Sequence, residues 1–230
     1  MEQSQKPFEN ILKSLQEKGP LKIDVYKRTE NAFNLLKTIL KQLETELLDA
    51  MAKIDKRVVV KYTERGMFDL EFNISDDILI FTMHTDTFTF QDSHSIWKNS
   101  YVSENKRNGY CGMISIYNFL TDSVKYNRVN DVGVLIARIF INSENQFFVE
   151  GKKQLNFLFS NFGNDELLET RLREVAENAI LYTLNFDIYT PPFDQVKMIS
   201  VQELNEKNLA SIVSTGKRLG FKFQSDSEVL

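Results

Sequence analysis

From about Asp24 to Ile54 the chain contains neither glycine nor proline, and Phe33, Leu36, Leu40, Leu43, Leu47, Met51 and Ile54 recur there at three- and four-residue steps. That spacing predicts an amphipathic helix. Leu35, Ile39 and Leu48 widen its apolar stripe beyond a strict two-per-heptad seam, which suits packing on a sheet. At 1.5 Å per residue the helix reaches ~45 Å, more than a small sheet usually covers. It therefore packs across the whole domain, or projects and pairs with a second copy, so self-association through helix 24–54 is one expectation. A shorter helix over 6–18 precedes it, with Phe8, Ile11, Leu12 and Leu15 on one face, and is expected to stop at Gly19-Pro20.

After Lys56 the period of the pattern falls to two. Arg57–Thr63 and Met67–Ile74 flank Glu64-Arg65-Gly66 and read as a hairpin. Ser75-Asp76-Asp77 is the next turn, and Ile78–Phe90 alternates throughout, predicting one long strand. His94–Val102 reads as the following strand, and Asn108-Gly109 as a turn into a strand over Tyr110–Leu120. Val132–Asn142 and Gln146–Val149 form a last hairpin around Ser143-Glu144-Asn145. Residues 151–162 fit helix or strand, with helix preferred. Asn164-Asp165 is read as the cap of a helix to about Thr183 that buries Leu168, Leu172, Val175, Ala176, Ala179 and Ile180. Pro191-Pro192 breaks the chain, and Ser200 with Glu203 fits a capping box for a final helix ending near Gly220. The expected fold is α+β: an antiparallel meander of about seven strands packed by a long N-terminal helix and C-terminal helices. Residues 1–23 are expected to form an arm carrying the short helix, 24–222 a single domain, and 223–230 a flexible tail.

Composition narrows the class. The chain is 42% hydrophobic and 26% charged, the balance of an ordinary globular protein that needs no disulfide or metal to hold it together. The single cysteine, Cys111, cannot form an internal disulfide, and the polar start carries no leader pattern, so a cytoplasmic location is expected. No apolar run is long enough for a membrane span. Net charge is −4 with mixed signs, so no basic stripe predicts nucleic-acid binding. Eighteen phenylalanines predict an aromatic core, with a phenylalanine-lined cavity for a small apolar ligand as the sharper alternative.

Two histidines and two aspartates share one window, His84-Thr85-Asp86 and Asp92-Ser93-His94. On strands, His84 and His94 lie on the order of 20 Å apart even across a turn, far beyond joint metal ligation, so no metal site and no cofactor are expected. His84 and Asp86 share one strand face and form a polar patch. Trp97 and Tyr101 share a strand face and are read either as core or, with Tyr110, as an exposed recognition spot. Cys111 at a strand start is most simply a buried thiol. No nucleophile elbow, phosphate-binding glycine loop or metalloprotease motif occurs. Lys106-Arg107 and Lys125/Arg128 fall at opposite ends of the sheet. The Thr190-Pro191-Pro192-Phe193 turn is a chain break that could display Tyr189 and Phe193. Two functions remain: a non-enzymatic binding or protein-interaction module, or an enzyme of unfamiliar type with its site at His84 and Asp86.

Overall fold

A computed structural model describes residues 5–126, 128–129, 131–152, 154–186 and 192–202. The final helix expected from Ser200 to Gly220, Tyr189 and the tail from 223 fall largely or wholly outside them. The chain folds as α+β, with one long helix, a sheet and a later helix in that order.

Helix α1 is a single helix over Gln5–Met51 with Pro20 inside it, not two helices parted at Gly19-Pro20. Proline removes one N–H, and the bond lost here is the one to the Gln16 carbonyl. Gln16 and Pro20 are both exposed, so water can serve that carbonyl and the helix continues. At its other end α1 stops at Met51, three residues before Ile54, and Asp55 takes the Arg57 backbone N–H at 2.9 Å.

Six strands follow: β1 Val60–Glu64, β2 Asp69–Ile74, β3 Asp77–Met83, β4 Cys111–Leu120, β5 Val134–Asn142 and β6 Phe147–Gly151. They are antiparallel throughout and ordered β1-β2-β3-β4-β5-β6, the expected meander. Ser75 (φ 56°) and Asn145 (φ 63°) make the left-handed steps of two hairpins. Asn tolerates that region through its short polar side chain.

The count is six rather than seven because β3 ends at Met83, not Phe90, and 94–102 is not a strand. Only one bridge, Phe88 to Cys111, continues the pairing. Beyond it, three polar side chains each take the backbone N–H two residues on: His94 from Ile96, Asn99 from Tyr101 and Asn105 from Arg107. Each begins a helical turn, a 3-10 turn at Ser95–Lys98, α2 at Ser100–Glu104 and a 3-10 turn at Lys106–Gly109. Such local capping competes directly with ladder pairing.

Short helices α3 (Thr121–Lys125) and α4 (Gln154–Leu158) follow β4 and β6, so helix is the right reading for part of 151–162. Helix α5 spans Glu169–Leu184, four residues later than expected, and Leu168 is exposed rather than core. The would-be first turn pairs with the edge of the last hairpin instead. The Asp165 backbone carbonyl accepts the Phe147 N–H, and the Leu167 N–H donates to the Asn145 carbonyl, closing the outer edge of β6. A last short helix, α6, covers Phe193–Val196.

The main core lies between one sheet face and α1 with α5. Phe33, Leu36, Ile39, Leu40 and Leu43 of α1 meet Phe72, Phe81, Ile114 and Ile139 of the sheet. The apolar face of helix 24–54 is thus largely spent on the sheet, with Leu48 and, past the end of α1, Ile54 left exposed. Thr29 crosses the sheet at Gly112, where an added Cβ would fall 1.9 Å from the threonine hydroxyl. Gly112→Ala is therefore expected to cost about 1–3 kcal/mol through overpacking. Urea denaturation checks this, and Thr29→Ala in the same chain should return part of the loss.

Candidate functional site

Side chains on β4, β5 and β6 alternate, so Cys111, Phe140 and Phe148 point away from α1. Residues 84–110 fold over them. The result is a second apolar cluster of Ile96, Val102, Cys111, Phe140, Phe148 and Phe162. Phe140 and Phe148 are cross-strand partners with ring centroids 5.0 Å apart, and Phe90 and Phe162 close on them at 5.0 and 4.9 Å. The phenylalanines here fill the space with one another.

The structure brings Trp97, Tyr101 and Cys111 into this cluster. Trp97 donates its indole N–H to the Gln91 carbonyl at 2.9 Å and lies over Gly109. Tyr101 donates to Glu144 at 2.6 Å and accepts from Asn142 at 2.8 Å, tying the 84–110 segment to the β5–β6 turn. Burial, then the Glu144 bond, pushes the acidity of its phenol well below normal. Its ring packs on Gly163, whose φ of +99° and close approach leave no room for a side chain. Cys111 is fully buried, and burial raises its thiol far above the usual range. A thiol so placed is inert. Tyr110 is half-buried, and its backbone N–H closes the 3-10 turn at Arg107.

His84 and Asp86 do not join them. His84 follows β3, bonds Met113 through its backbone N–H, and sets its ring edge-on to Phe88 at 5.5 Å. Asp86 is exposed. Lys106-Arg107 and Lys125 stand at the two ends of β4.

The polar constellation of this face is a different one. A groove of 320 Å³ runs between His94, Ser95, Phe148, Glu150, Asn156 and Phe162. His94 Nδ1 accepts the Ile96 N–H at 3.2 Å, so its proton sits on Nε2 and is donated to Glu150 Oε1 at 2.9 Å. Arg138, the register partner of Glu150 across β5 and β6, donates to the other carboxylate oxygen. The row Arg138–Glu150–His94 resembles a base held by an acid. A general base, however, needs a lone pair aimed at substrate, and the free lone pair of His94 is spent on capping a 3-10 turn. The row positions residues 94–99 against the sheet. It was legible in principle, because Arg138 and Glu150 lie equidistant from Glu144, the centre of the predicted turn.

No protein-family model, curated protein or solved structure matches the chain.

Two outcomes test this geometry. Cys111 should resist alkylation at about pH 8 in the folded protein and react as one thiol in denaturant. Glu150→Gln removes the charge between Arg138 and His94 while keeping an acceptor. His94 and Glu150 are 29% and 27% exposed and Arg138 is 42% exposed, so solvent screening holds the expected cost to ~0.5–1 kcal/mol by urea denaturation.

Proposed function

We propose that the protein is a non-enzymatic interaction module that presents the N-terminal end of α1 to a protein partner. One observation carries this reading. Phe8, Ile11, Leu12 and Leu15 lie on one side of the helix and are 62%, 54%, 43% and 61% exposed. Every residue from Lys6 to Lys18 is exposed, and the first buried one is Leu21. The free stretch, residues 5–20, reaches ~24 Å past that point. A lone helix of this length is marginal in water, so four exposed apolar side chains in a row favour a surface that is covered in use.

The sites support the same reading. The His94 nitrogens and the Glu150 oxygens are engaged internally, the Cys111 thiol is buried, and His84 and Asp86 do not line the His94 groove. A small apolar ligand is the weaker proposal, because the cluster on the outer sheet face is packed with its own aromatic rings. No helix among the described residues is long and apolar enough to cross a membrane. The lone buried thiol suits a reducing compartment such as the cytoplasm.

A photo-activated cross-linker placed at Leu12, and separately at Lys13 on the solvated side, tests the reading in the cells that make the protein. A discrete adduct at position 12 but not at 13 is expected. Equal labelling at both positions, or none at position 12, overturns it.

A further inference from the structure

Phe8, Leu12, Leu15 and Gly19 follow a four-three-four spacing, the step of a helix-pairing seam. At 100° per residue they fall within roughly 60° of arc. Gly19 is a notch in this seam, because an added Cβ there would meet nothing within 4 Å. Eleven residues away along the same seam stands Phe8, the bulkiest and most exposed of the arm's apolar side chains.

Resting on the interaction reading above, we propose that the partner is a second copy of this chain, paired antiparallel through residues 8–19 of α1. A two-fold axis between positions 13 and 14 sets Leu12 against the partner's Leu15 and seats Phe8 over the partner's Gly19. Both contacts occur twice, as an isologous interface requires. Charge selects the direction. Parallel pairing in register faces Gly19 with Gly19, leaving a gap, and brings the two Lys22 ammonium groups together. Antiparallel pairing separates those ammoniums by roughly 25 Å. Along the flanks, Glu9 then approaches the partner's Gln16, and Ile11 lies under the aliphatic stem of the partner's Lys18, so no like charges are opposed.

Size sets the strength. A seam of this length buries on the order of 1,000 Å² in total, the low end for a specific interface. The dimer therefore exchanges with monomer as concentration changes.

Sedimentation of the full chain across about two decades of concentration reads this directly. Wild type is expected to pass from monomer to dimer. Leu12→Glu with Leu15→Glu should remain monomeric, with an unchanged thermal midpoint because both side chains lie outside the core. For direction, copies carrying Leu12→Cys are mixed with copies carrying Leu15→Cys. Cys111 is buried and does not compete. A mixed disulfide between the two variants, formed in preference to either homodisulfide, is expected. Preferential Leu12→Cys homodisulfides would mean parallel pairing and overturn the proposal. So would a wild type that stays monomeric throughout, as it would if residues of its own chain covered the stripe. In that case, an adduct at position 12 to a different protein would leave the interaction reading standing while the second copy is lost.

Discussion

The contact of Thr29 with Gly112 fixes how closely α1 crosses the sheet, and most of the molecule hangs from that crossing. With no side chain at 112, the helix settles until the threonine occupies the space a Cβ would need. Thr29 can be buried there because its hydroxyl is satisfied by the Val25 carbonyl of its own helix at 2.8 Å. From this seat α1 reaches both flanks. Glu44 takes the Tyr62 N–H on the outer side of β1, at 2.9 Å, which blunts the free edge of the sheet. Glu46 pairs with Arg173 of α5 and holds the second helix alongside.

With α1 and α5 on one face, the sheet still has a second face to cover, and the chain does so with the stretch between β3 and β4. That segment leaves the ladder after Met83 and returns through the Phe88–Cys111 bridge. It is held by aromatic packing beneath and by polar ties at its rim, through Tyr101 to the β5–β6 turn and through His94 to Glu150. The same residues that resemble recognition or catalytic groups in the sequence thus act as fasteners. An imidazole capping a turn with one nitrogen and donating to a carboxylate with the other has no lone pair left for chemistry.

Much of this was readable from the chain because hairpins announce themselves locally. Glu64-Arg65-Gly66, Ser75-Asp76-Asp77 and Ser143-Glu144-Asn145 each separate alternating segments, and the ladders follow from them. The pattern over 78–102 misleads because alternation records only which side a residue takes, while past the Phe88 bridge the capping by His94 and Asn99 winds the backbone into helical turns. Gly19-Pro20 was misjudged for a related reason. Its breaking power depends on whether the freed carbonyl is buried, which no local pattern states. The Arg138–Glu150–His94 row joins three separate segments, so only the folded chain reveals it whole, although half of it follows from the symmetry of one turn.

The continuity of α1 gives the arm its meaning. On a wheel of 100° per residue, the sheet-facing residues Thr29, Phe33, Leu36, Leu40 and Leu43 centre roughly 70° away from Phe8, Leu12, Leu15 and Gly19, with Leu15 in line with Phe33. A core stripe that merely overran the sheet would stay in line with it. This one is offset from it, and its side chains at 8, 11, 12 and 15 stand exposed, clear of the main core. Pro20 stands where the exposed arm gives way to the buried helix, and an interior proline weakens a helix by about 3 kcal/mol. Pairing of the proposed kind would offset, through side-chain burial, the backbone bond that Pro20 withdraws at the root of the arm.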